Sequence, residues 1–139
     1  MAGGKTTKQT WKVEFNHIMI YVTELDRSLS FYRDGLGFRL VDMYPGAYAR
    51  LRSPAGSTTI ALHVTEKGQT VVPATEGLRL YLEVKELRRF CTYLVKKGIR
   101  MDQEPTKMPW GWTHAYLRDP DGHEISLYLA GDDRLKKRG

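Results

Sequence analysis

A single cysteine, Cys91, in 139 residues leaves the chain without an internal disulfide, which suits a reducing cytoplasm. Long apolar runs are missing too. None approaches the roughly 18 residues of a membrane span. The opening "MAGGKTTKQTWK" lacks the apolar stretch of a secretory signal, so residues 1–12 read as a flexible leader. The surplus of positive charge is scarce where a nucleic acid would need it. Of the net +6, the leader holds +3 and the tail from Asp132 holds +2, which leaves +1 on residues 13–131. A groove for nucleic acid needs cations clustered on the folded body. Neither a nucleic acid nor a membrane is therefore expected as partner, and residues 131–139 read as a basic, solubilising tail.

What remains is one domain of ordinary composition, 41% hydrophobic and 27% charged, and it is written twice. "YARLRSPAG" (48–56) lies over "HAYLRDPDG" (114–122) with Ala, Leu, Arg, Pro and Gly in register. The strands that follow match as well, Ile60, Leu62 and Val64 falling on Ile125, Leu127 and Leu129. Upstream, "HIMIYVTELDRSLSFYRDGLGF" from His17 parallels "RLYLEVKELRRFCTYLVKKGIR" from Arg79. Each opens on a strand of period two, with Ile18, Ile20 and Val22, or Leu80, Leu82 and Val84, on one face. Each continues as a helix whose buried stripe is Leu25, Leu29 and Tyr32, or Leu87, Cys91 and Leu94. Gly35 and Gly98 are the expected helix stops, because glycine accepts the left-handed conformation there. Three strands complete each half, in the second roughly Ile99 to Asp102, Thr113 to Arg118 and Glu124 to Tyr128.

The expected architecture is α+β, two tandem βαβββ modules within residues 13–130. The modules span 13–64 and 78–130, and the Gly-, Thr- and Pro-marked segment 65–77 links them. Side by side they would form a half-barrel with helices outside and a concave cleft inside, a natural pocket for a small molecule.

"FNHIMIYVTELDRSLSFYRDGLGF", "MPWGWTHAYLRDPDG" and "DPDGHEISLY" resemble the vicinal oxygen chelate superfamily, which includes glyoxalase I, extradiol dioxygenases and bleomycin-resistance proteins. The resemblance covers residues 13–129. It implies a homodimer, and a metal site built from one side chain on the first and last strand of each module, all facing the cleft. Those four positions hold His17, Ala61, Arg79 and Ser126, of which only His17 is a good ligand. His63 and Glu124 lie two residues from empty positions. A shifted set of His17, His63 and Glu124 would suit a divalent ion such as Zn, Ni, Fe or Mn.

Strand alternation gives a separate list of residues on the concave face. It places there Met19 and Tyr21 with His17, Thr59 and Ala61 with His63, and Tyr81 and Glu83 with Arg79. Ser126 and Tyr128 follow Glu124, and His114, Tyr116 and Arg118 share one strand. Tyr48, Arg50 and Arg52 face inward from the first hairpin. Trp110 and Trp112 in "MPWGW" stand at the rim and line the pocket. The expected ligand-contacting set is thus Tyr21, Tyr81, Trp110, Trp112, His114, Tyr116, Arg118, Ser126 and Tyr128. His123 is expected to point outward to solvent, and Cys91 to fill core space.

Two main functions follow, with a third beside them. In the first, the chain is a glyoxalase- or dioxygenase-like enzyme. A divalent metal would grip vicinal oxygens of a substrate, and Glu83 or Glu124 beside Arg79 would move the proton. In the second, the chain binds a flat ligand without metal, like bleomycin-resistance proteins. The third is a metal-free enzyme working through the Arg–Glu–His cluster.

Overall fold

The computed structural model describes residues 9–67 and 69–130. Most of the expected leader and the whole basic tail lie outside the described residues, as does Gly68 of the linker. Eight strands form two four-stranded sheets. The first module runs β1 (His17–Val22), α1 (Leu25–Leu29), β2 (Arg39–Tyr44), β3 (Tyr48–Arg52) and β4 (Thr59–Val64). The second runs β5 (Leu80–Glu83), α2 (Leu87–Lys96), β6 (Met101–Lys107), β7 (Thr113–Arg118) and β8 (Glu124–Leu129). Sheet orders are β1-β4-β3-β2 and β5-β8-β7-β6. In each, the first strand pairs in parallel with the last, while the three later strands run antiparallel to one another. Each helix therefore carries the chain across its sheet to the far edge, and a meander brings it back. The α+β class and the twofold βαβββ plan are observed, with two open sheets and no closed barrel.

Alternation explains the core. Ile20, Val22, Ile60, Leu62, Ala115, Leu117, Ile125 and Leu127 are buried on one face of their strands and pack with the helix stripes Leu25–Leu29–Tyr32 and Leu87–Cys91–Leu94. Burial pushes the Cys91 thiol up from its ordinary value, as for a core residue rather than a nucleophile. α2 ends at Lys96, and Gly98 just beyond it takes φ of 89° as expected. The first module differs. Its helix passes into a π-helical turn, Ser30–Gly35, so the helical segment does end at Gly35, but not through a left-handed residue there. The left-handed residue is Gly37, φ 85°. Gly35 serves a different need, since a Cβ there would lie 2.8 Å from Ile99 Cδ1. The missing side chain lets the first helix approach the second module.

The two modules share one hydrophobic core, and the "DPDG" turn adds polar bonds between them. Asp119 is buried and receives the Tyr32 hydroxyl at 2.7 Å on Oδ2. Its Oδ1 accepts the backbone N–H groups of Asp121 and His123, each at 2.9 Å. Asp121 reaches the start of α1, where it accepts Thr23 N–H at 3.1 Å and the Thr23 hydroxyl at 2.5 Å, and pairs with Arg27 at 3.3 Å. Burial, followed by the Asp119 charge, holds the Tyr32 phenol well above its ordinary value of 10.0. His123 is not the surface residue that alternation implied but is 2% exposed. Its Nδ1 accepts Ala74 N–H at 2.8 Å, so the proton sits on Nε2, which donates to the Tyr21 carbonyl at 2.7 Å. Gly122, at φ 89°, resets the chain direction before the strand begins. The in-out phase of β8 therefore does not extend back to His123.

Candidate functional site: an aromatic bed on the second sheet

The residues expected at the cleft fall into two groups. The larger lies on the second sheet. Trp112, His114 and Tyr116 share a parity along the chain entering and forming β7, and Ser126 and Tyr128 share one on β8. Register sets Tyr81 opposite Ser126, Ser126 opposite Tyr116, and Tyr128 opposite His114. Side chains of such pairs lie on the same face. The result is a stack. Trp112 lies nearly parallel to Tyr128, centroids 5.2 Å apart at 10°, and Tyr128 to His114, 5.6 Å at 20°. Tyr81 meets His114 and Tyr128 edge-on at 5.8 and 5.6 Å, and Trp110 meets His114 edge-on at 5.6 Å. Trp110 is carried by a tight turn in which Met108 N–H donates to Trp112 O and Gly111 N–H to Met108 O. Gly111, at φ 98°, permits it. Offset-parallel and edge-on rings at these separations are the favoured aromatic geometries. Tyr81 and Trp110 remain 53% and 56% exposed, so the flanks of the bed reach solvent.

His114 sits at the centre, 2% exposed. Its Nδ1 pairs with the Ser126 hydroxyl at 2.7 Å, while Nε2 is buried without a partner. Burial, and secondarily the Arg79 charge, lowers its pKa from 6.5, keeping the imidazole neutral near pH 7.

Beside the bed stands an ion-pair group. Arg79 donates to Glu124 Oε1 from Nη2 at 2.8 Å and from Nε at 3.3 Å, and its guanidinium covers the Tyr116 ring at 5.2 Å. The bond to Glu124 is the main reason the Arg79 pKa rises. Arg118 reaches Asp102 at 3.2 Å and Glu124 Oε2 at 4.0 Å. Glu124 is thus committed to two arginines. Glu83, at the end of β5, is exposed and sits opposite Tyr128 in register.

The smaller group lies on the first sheet. His17 Nδ1 pairs with Asn16 Oδ1 at 2.7 Å, and Asn16 also receives Arg50. His63 is exposed, its Nδ1 bonded to Val64 O at 2.8 Å and its ring edge-on to Tyr21 and Tyr48 at 5.8 and 6.2 Å. His17 and His63 do not converge. On neighbouring parallel strands His17 faces Thr59 and Tyr21 faces His63. That puts the two histidines four residues apart along the strand direction, roughly 13 Å. Glu124, the third member of the shifted set, is on the other sheet.

The residues present do not fit the metal centre that the resemblance implies. Ala61 and Ser126, at two of its four positions, are fully buried. The first has no donor, and the second is engaged by His114. The third position presents the Arg79 cation. Among the described residues no three His, Cys, Asp or Glu side chains are grouped to hold a metal ion.

Gln103 was not anticipated. It lies on β6 opposite Tyr116, and its buried Nε2 has no partner. Register shifts on both sides of it, between Met101 and Gln103 and between Gln103 and Thr106, break the alternation that would have exposed its phase.

Among the described residues no helix is long and apolar enough to cross a membrane. The chain is 30% identical over 126 residues to a protein of Synechocystis described as a probable lactoylglutathione lyase, covering 80% of this chain and 91% of that one. Among solved structures, a member of the glyoxalase, bleomycin resistance and dioxygenase superfamily from Sphaerobacter thermophilus has a TM-score of 0.70 at 24% identity, over 86% of this chain and 99% of that one. TnmS3, described as an antibiotic binding protein from a Streptomyces species, gives the same TM-score and identity over 86% and 98%. At that identity the two structures speak for the fold alone. Residues 14–127 match the model of one family, and with the paired βαβββ modules this places the chain in the Glyoxalase/Bleomycin resistance protein/Dioxygenase superfamily.

Proposed function

We propose that this chain binds a planar small molecule on the second sheet without the aid of a metal ion. The observation that carries this reading is the near-parallel set of Trp112, Tyr128 and His114 rings, flanked edge-on by the half-exposed Tyr81 and Trp110. A flat ligand laid against these rings gains area burial and ring stacking together. Arg79 and Glu124 neutralise one another at the rim and bound the bed on one side. The antibiotic-binding description of the Streptomyces neighbour is consistent with such a use of the fold.

The test is binding of fused-ring aromatic compounds, followed by tryptophan fluorescence, before and after chelation. Binding should persist in excess chelator, and Trp112→Ala should weaken it about tenfold, the scale of one lost stacking partner. Binding that vanishes on chelation and returns with Ni, Zn, Fe or Mn would overturn the reading.

Similarity to the Synechocystis relative over 80% of this chain and 91% of that one favours a second reading, a lyase acting in lactoylglutathione chemistry. Formation or breakdown of lactoylglutathione by the purified protein would establish it.

A further inference from the structure

Two side-chain atoms on the bed are buried and unmatched, His114 Nε2 and Gln103 Nε2. Such groups are costly, because each has lost water and gained no protein partner. Both belong to one sheet face. Gln103 is opposite Tyr116, and His114 is two residues from Tyr116 on the same strand, opposite Thr106. With strands about 4.8 Å apart and two residues spanning about 6.6 Å, their Cα atoms are separated by roughly 8 Å.

We propose that Gln103 and His114 are a pair of polar anchors for the ligand of this bed, an uncharged fused-ring molecule with polar atoms on opposite edges. This rests on the planar-ligand reading above and specifies its chemistry. Gln103 Nε2 can only donate, so the ligand atom facing it is an acceptor such as a ring carbonyl. The Ser126 hydroxyl can accept a proton carried on His114 Nδ1, which leaves Nε2 as the acceptor for a ring N–H or hydroxyl. No net charge is called for, since Glu124 already has Arg79 and Arg118. A carbonyl at one edge and an N–H at the other, across the middle of three fused rings, satisfy both anchors.

Acridone has this arrangement, and anthracene has the same three rings without polar atoms. Both fluoresce, so anisotropy reports binding to the whole protein. The wild type should bind acridone about tenfold or more tighter than anthracene, one hydrogen bond being worth about that factor. Gln103→Leu should remove about tenfold from acridone affinity and leave anthracene unchanged, and His114→Phe, which keeps a ring in the stack, should act likewise. Gln103 is only half-buried, so its variant carries the test if His114→Phe misfolds by circular dichroism. Equal affinity for both probes, or unchanged acridone affinity in Gln103→Leu, would overturn the anchors while leaving the bed intact. Failure of the wild type to bind either probe would overturn the bed, and the anchors with it.

Discussion

Replacing Tyr32 by Phe deletes one oxygen and keeps the ring in the core, so it isolates the bond to Asp119. That bond is 2.7 Å long between groups 1% and 5% exposed, and its acceptor is a carboxylate. Hydrogen bonds to charged partners contribute about 1.5–3 kcal/mol. Asp119 keeps its two backbone donors on Oδ1 in the variant, so only Oδ2 is stripped, and the loss should sit near the middle, about 2 kcal/mol. For a chain of this length that lowers the melting temperature by about 7 °C. Urea unfolding followed by far-ultraviolet circular dichroism is the assay. The midpoint should fall while the slope stays the same, because the surface exposed on unfolding is unchanged. A second background separates the bond from any packing effect. In Asp119→Ala the hydroxyl has no carboxylate to meet, so adding Tyr32→Phe should cost less than about 0.5 kcal/mol. If Tyr32→Phe costs the same in both backgrounds, or almost nothing in the wild type, the turn is not held by this bond and the account of how the modules are joined is wrong.

Two further outcomes are expected. Burial depresses the His114 pKa below 6.5, so the unfolded chain takes up a proton that the folded one refuses. The stabilising contribution is fully present above pH 6.5 and is lost as the pH falls from there through the folded value. Urea midpoints should decline over that window, and His114→Phe should flatten the decline. An unchanged slope in the variant would count against His114 as its source. The homodimer implied by the family resemblance is open to sedimentation equilibrium. Leu40, Val41, Met43 and Tyr44 are 37%, 56%, 42% and 71% exposed on the edge strand β2, and a second chain would cover them; a monomer at all concentrations would refute this.

The sequence made much of the bed visible. Alternation placed Tyr81, His114, Tyr116, Ser126 and Tyr128 on one face, because one face of each strand is held to the core and the other must then point away. It failed where the period of two is interrupted. Gln103 sits between two register shifts, and His123 lies before a left-handed glycine, so neither inherits its neighbour's phase. The left-handed residue is Gly37 rather than Gly35, and Gly35 is instead set against Ile99 of the second module, a contact no local pattern records. The set of His17, His63 and Glu124 shows a different limit. Each residue lies where its strand phase put it, yet same-face placement says nothing of distance along the strands or between the sheets.

The two turns "SPAG" and "DPDG" occupy equivalent places in the repeat but do different things. Pro54, Ala55 and Gly56 stay exposed, and the Ser53 hydroxyl folds back onto Ala55 O at 2.7 Å. On α2 the place of Tyr32 is taken by Leu94, which has no hydroxyl to offer. The second module thus carries a key and the first a keyhole, with no reciprocal pair. A chain made of two first modules would hold two keyholes, and one made of two second modules only two keys. At this turn the two halves of the repeat are matched but not exchangeable, since the polar bonds run one way only.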